Sequence, residues 1–191
     1  MKRAHGTAVA LAALAVASAG VQATTVKRMS LPDMAKYSKW VVEGTVVANQ
    51  VVYEQGADGP LNIRTITTIQ VARSFKGDAP KTLSVTGWGG VVGEISHNWP
   101  GVPRFKEGEN AILFLYEDPR GELQVTGLEQ GRMTIQDRPG LGKVVSQSLE
   151  GLNFEGDSRS IHAPGPRSLD SVLKEIKDVV AAQPADAEEN N

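Results

Sequence analysis

Cysteine is absent from the sequence. That excludes disulfide staples, thiol nucleophiles, thiolate metal sites and thioredoxin-like redox chemistry together. A basic surface is missing too. Twenty Lys and Arg stand against 22 Asp and Glu, for a formal net charge of −2, and no basic stripe of the kind nucleic acid requires is present. No segment supplies the ~20 consecutive apolar residues that span a bilayer, so no membrane anchor is expected in the mature chain. Histidine is scarce at three residues, with no H-E-x-x-H and no pair at helical spacing, and no D-x-[DN]-x-[DN]-G loop occurs. Neither metal nor cofactor is expected.

Known catalytic patterns are lacking as well. No G-x-S-x-G elbow and no G-K-[ST] phosphate loop appear. "GDSRSIH" (Gly156–His162) looks briefly like a Gly-Asp-Ser hydrolase block, but it comes late in the chain and no Asp-x-x-His follows it. The acids around turns, Glu107, Glu109, Glu117 and Asp118, read as solvated turn residues rather than a catalytic pair across a cleft.

What is present begins with a leader. Lys2 and Arg3 precede an apolar run, Ala8 to Ala17, and Val21-Gln22-Ala23 fits a small-x-small cleavage site. Residues 1–23 are therefore expected to be a signal peptide, and the mature protein to be exported, periplasmic or extracellular. "SLPDMAKYSKW" then predicts a short helix, with Ser30 as its cap, Pro32 in its first turn and Asp33 three residues after the cap.

From Trp40 the hydrophobic period becomes two. "WVVEGTVVANQVVY" and "NIRTITTIQVARSF" read as long strands joined by the "GADGP" turn, with a bulge or change of face expected near Ile66. "TLSVTGW" (Thr82–Trp88) is a third strand. "NAILFLYE" (Asn110–Glu117) is apolar on both faces, which predicts a central strand covered from both sides. "ELQVTG", "GRMTIQ" and "KVVSQS" complete the set.

The expected fold is mainly β: an antiparallel OB-like barrel of about six strands over residues 24–148. A loop or linker follows over 149–167, then an amphipathic helix over 168–183. Leu169, Val172, Leu173, Ile176, Val179 and Val180 form the helix's apolar stripe, which should lie on the barrel. Residues 184–191 read as a disordered acidic tail.

The glycine-rich stretch "VTGWGGVVGEISHNWPG" (Val85–Gly101) is the main candidate for function. Its Gly87, Gly89 and Gly93 are spaced one residue too long for a dinucleotide loop, and Pro100-Gly101 stands where the required helix would begin. It is read instead as an irregular crossover that carries the candidate binding residues Trp88, His97, Trp99 and Arg104. Aromatic residues and arginine of this kind are enriched at interface hot spots. The tryptophans either cap the barrel end or meet a protein or glycan partner.

Several motifs carry a resemblance over about Thr25–Gln136. They are "LPDMAKYSKWVVEGTVV", "TTIQVARSFKGDAPKTLSVTGWGG", "GVPRFKEGENAILFLY" and "VTGLEQGRMTI". In order and spacing they resemble a group of uncharacterised exported bacterial proteins. More remotely they are similar to the netrin-like, tissue-inhibitor-of-metalloproteinase domain, through Val42, Gly44 and Val46, then Val71 with Lys76-Gly77, then Phe105, Gly108 and Glu109. The resemblance implies an OB-type barrel and a protein-binding role. It does not imply zinc-directed inhibition, which in that family depends on an N-terminal cysteine. The expected function is an exported, non-enzymatic binding module, with an accessory or inhibitor of a secreted enzyme as the kind of role it fits. The alternatives are a small secreted hydrolase using Ser158, His162 or His97, and a structural envelope protein.

Overall fold

The computed structural model describes residues 23–55, 61–156 and 163–183. The expected signal peptide up to residue 22, the expected turn at 56–60, Ser158, His162 and the 184–191 tail lie outside the described residues. Among the described residues the chain is mainly β, with two α-helices.

Helix α1 (Leu31–Tyr37) forms where the sequence places it. The Ser30 hydroxyl accepts from the Asp33 N–H, and the Asp33 carboxylate accepts from the Ser30 N–H, so each closes an orphan donor of the first turn. At the other end the Lys76 ammonium donates to the Ala35 carbonyl at 2.8 Å, a cation placed on the helix's unpaired carbonyls.

Two 16-residue strands follow, β2 (Trp40–Gln55) and β3 (Leu61–Lys76), paired antiparallel. Their pairing runs unbroken through Ile66, opposite Gln50, so no bulge lies there. The register shifts instead between Val41 and Val42, Glu43 and Gly44, and Val46 and Ala48. Irregularities of this kind raise the local twist and bend of a strand.

β4 (Thr82–Val92) pairs with β3 and then turns into β5 (Ile95–Asn98). The expected irregular crossover is thus a strand and a hairpin, and β4 extends well past Trp88. Its glycines permit this course. A Cβ on Gly90 would stand 2.9 Å from Val51 Cγ1 and 3.0 Å from Ile63 Cγ2, so the strand can cross the face of the β2–β3 hairpin only without a side chain there.

β6 (Asn110–Glu117) pairs with β2 along one edge. Its other edge forks. The first half pairs with β8 (Arg132–Arg138) and the second half with β7 (Leu123–Val125). β7 also reaches β4 through a parallel pair, Val85 with Leu123. The ring β2–β3–β4–β7–β6 therefore partly closes. A ring with an odd number of strands cannot be antiparallel throughout, and this parallel seam is where the odd count is absorbed. The sheet is mixed, which corrects the expected all-antiparallel pattern, and it is larger than six strands. β9 (Gly142–Gln147) and a two-residue strand, β11 (Arg167–Ser168), extend it beyond β8.

The 149–167 segment is not wholly a linker. β10 (Leu152–Phe154) pairs in parallel with β1 (Thr24–Val26), joining the amino-terminal segment to the stretch that follows β9. Three-residue strands are too short to leave a periodic signal, and so neither was expected from the sequence.

β6 is covered on both faces, as its double apolar pattern requires. Ala111, Leu113 and Leu115 point into the ring with Val42, Val46 and Val85. Ile112 and Phe114 point outward, to a second core under α1 and helix α2 (Leu169–Ala181). The α2 stripe supplies Leu169, Val172, Leu173 and Ile176 to that core, with Val179 and Val180 at its margin.

The close approach of β2 to β3 depends on Gly44, where an added Cβ would stand 2.6 Å from Ile69 Cγ2 and 2.7 Å from the Gln70 carbonyl oxygen. Gly44→Ala is expected to destabilise the fold by ~1–3 kcal/mol through overpacking, read as a lower urea midpoint with an unchanged slope.

Candidate functional site

The fork in the sheet is held by buried charge. Glu109 immediately precedes β6, Arg132 opens β8, and Glu129 lies in the short 3-10 turn between β7 and β8. Arg132 Nε donates to Glu129 Oε2 at 3.0 Å and Nη2 to Glu129 Oε1 at 2.9 Å, a bidentate pair. Arg132 Nη1 donates to Glu109 Oε1 at 3.1 Å and to the Arg104 carbonyl at 2.9 Å. Glu109 accepts further from the Thr134 hydroxyl and the Lys106 N–H, both at 3.1 Å. The side chains of Arg132, Glu109 and Glu129 are only 13%, 10% and 8% exposed.

Two effects compete on Glu129. Burial pushes its carboxyl above the usual range and Arg132 pulls it down, while Glu109 and Glu150 add to the rise. The net shift is upward. Arg132 bridges the two carboxylates and so ties the turn before β8 to the start of β6. Glu109, expected to be a solvated turn acid, is instead largely buried, because Arg132, Thr134 and the Lys106 N–H all bond its carboxylate.

Beside the triad opens a cavity of about 1020 Å³. Trp99 and Arg104 stand in its wall with Asn98, Lys106, Glu107 and Glu150. The loop that carries Trp99 and Arg104 is fastened at two points: Arg132 holds the Arg104 carbonyl, and the Glu129 N–H donates to the Gly101 carbonyl at 2.9 Å. Arg104 in turn donates to the His97 carbonyl at 3.1 Å and to Asn98 Oδ1 at 2.9 Å.

The four residues singled out by sequence are therefore divided. Trp99, 56% exposed, and Arg104 line the cavity. His97 lies on β5 and contributes its backbone carbonyl. Trp88 is half-buried and belongs to a different cluster, with the Arg120 guanidinium 5.1 Å above its ring. Arg120 is held by Asp118, which also accepts from the Glu122 N–H and from Gln124 Nε2. Arg64 reaches the same cluster through ion pairs to Glu54 and Glu122. Trp88 is thus a side chain of β4 covered by Arg120.

Sequence reading missed Glu129 and Arg132. Their signal was present in "GLEQGR", an acid three residues ahead of a base within a glycine-flanked turn. Their burial depends on the fork, which no local pattern reveals. Ser158 and His162 lie outside the described residues. Among the described residues, no group of three or more His, Asp or Glu is arranged to hold a metal ion. No family model matches the chain, and no curated protein matches it.

Removing one partner of the triad strands the others. Arg132→Met is expected to cost ~3–5 kcal/mol at neutral pH, because two buried carboxylates lose their counter-ion. Glu129 has a raised folded pKa, so its native state takes up a proton more readily than the unfolded chain. Its charge costs stability above that pKa, and the cost fades as pH falls through it. The penalty of the variant should therefore be smaller in urea melts near pH 4.5 than at pH 7. Asp118 has the opposite sign: the Arg120 side-chain bond, first, and then the Glu122 and Arg120 N–H donors hold its carboxyl down to about 2. Its contribution is complete above the ordinary carboxylate value of 3.8 and is lost as pH falls toward about 2. NMR titration should place its midpoint there, and Arg120→Gln should return the midpoint toward 3.8.

Proposed function

We propose that this chain is an exported, non-enzymatic protein-binding module built on an OB-like barrel, serving as an accessory or inhibitor of a secreted enzyme. A five-stranded, partly closed barrel is the architecture of that fold, and the ring β2–β3–β4–β7–β6 fits it.

The observation that carries the reading is the distribution of exposed apolar side chains. β6 pairs with β2 only as far as Thr45, so the outer half of the β2–β3 hairpin projects past the ring, with the β4–β5 hairpin laid against it. Val47, Val51 and Tyr53 on β2 and Val91 and Ile95 on the β4–β5 hairpin are exposed, Tyr53 and Val91 each at 59%. Among the described residues, the remaining exposed large apolar groups are Tyr37, Trp99 and Leu141. A concentration of this kind on one projection favours association. β5 adds an edge: among the described residues it pairs only with β4, leaving main-chain donors and acceptors available to an incoming strand.

Cross-linked pull-down from the periplasm and culture medium tests the reading. A recurrent protein partner is expected, and the double variant Val91→Asp/Ile95→Asp should lose it without lowering the urea midpoint. Recovery of the protein alone, with no effect on secreted enzymes, would count against the proposal.

A further inference from the structure

The cavity beside Trp99 has a chemistry different from that of the projecting hairpins. We propose that it binds a neutral oligosaccharide, through stacking on the Trp99 indole and hydrogen bonds from its polar wall.

Trp99 is the first ground. A half-exposed indole in a cavity wall gives the fold little, but it offers a flat apolar face with one N–H donor at its edge. The C–H face of a pyranose is complementary to such a surface. The second ground is unspent hydrogen bonding. Asn98 and Asn110 use their Oδ1 atoms on Arg104 and Thr45, and among the described residues their Nδ2 donors have no partner. Gln136 lies in the same wall and makes no side-chain hydrogen bond among the described residues. Planar amides with free donors and acceptors suit hydroxyl groups, which do both.

Charge is the third ground. Arg104 and Lys106 in the wall are offset by Glu107 and Glu150, and Arg132 is already consumed by Glu109 and Glu129. The wall as a whole sets Arg104, Lys106 and Arg132 against four carboxylates, a single-charge excess that selects no strongly charged ligand. The fourth is preorganisation: the loop from Trp99 to Arg104 is fixed through the Gly101 and Arg104 carbonyls, so little ordering cost falls on binding. At about 1020 Å³ the cavity stands at the top of the ~300–1,000 Å³ range of small-molecule sites, which suits several linked sugars better than one.

The inference does not rest on the protein-binding reading, and the two can fail separately. The test is isothermal titration and tryptophan fluorescence of the purified protein with cellotetraose, maltotetraose, xylotetraose and tetra-N-acetylchitotetraose. At least one should bind saturably at micromolar to millimolar concentration with a blue-shifted emission. Trp99→Ala should weaken that binding about tenfold or more and abolish the shift. Gln136→Ala should weaken it severalfold, whereas Val91→Asp should leave it unchanged. Circular dichroism of each variant establishes that the fold is retained. Absence of saturable binding across the panel, sugar binding that survives Trp99→Ala intact, or a Trp99-dependent response to neutral peptides without one to sugars would overturn the proposal.

Discussion

One arginine decides how the sheet divides. β6 must give half of one edge to β7 and half to β8, and the chain between those strands has only six residues in which to step from one to the other. The Thr126 N–H donates to the Phe114 carbonyl, Gly127 takes a left-handed conformation, and Glu129 comes around to meet Arg132. With Glu109 on the far side, Arg132 ties the turn, the start of β6 and the Trp99–Arg104 loop to a single guanidinium. Buried ion triads of this kind are costly to break even where they add little net stability. Here the geometry they enforce separates the ring from the outer sheet.

That separation creates the two cores. Inside the ring the packing is short and aliphatic, dominated by Val, Ala and Leu. Outside it, larger side chains such as Phe114, Met34 and Met133 fill the space under the helices. α1 and α2 bury their stripes against Ile112 and Phe114 of β6, together with Val41, Met133 and Val145 of the neighbouring strands. Gln130 joins this arrangement to the amino-terminal segment: its side chain accepts from the Met29 N–H and donates to the Lys27 carbonyl.

Much of this was legible in the sequence, and the reason is periodicity. The period-two run from Trp40, the double-faced "NAILFLYE", the Ser30–Asp33 capping pair and the α2 stripe each carry a local pattern strong enough to predict the element. What was not legible lacks local pattern. The parallel seam at Val85 and Leu123 is one residue pair long, and β1 and β10 are three residues each. Gly89 and Gly90 read as irregular because glycine is rare in strands, yet both are strand residues, and the missing side chain of Gly90 lets β4 cross Val51 and Ile63. Of the candidate residues, Trp88 and Trp99 were indistinguishable in sequence. Arg120 covers one, and among the described residues no cation lies over the other, a difference set by a partner distant in sequence.

The pairing of β1 with β10 has a consequence for how the molecule is made. Thr24 finds its ladder partner at Leu152 and Val26 at Phe154. During synthesis the first strand therefore emerges long before the strand that receives it. The β2–β3 hairpin can close early, since its loop is short, while the amino-terminal segment must wait until most of the domain exists. Such pairings carry a large loop-closure entropy and slow the final step. A strand that appears early in synthesis is thus among the last to be locked.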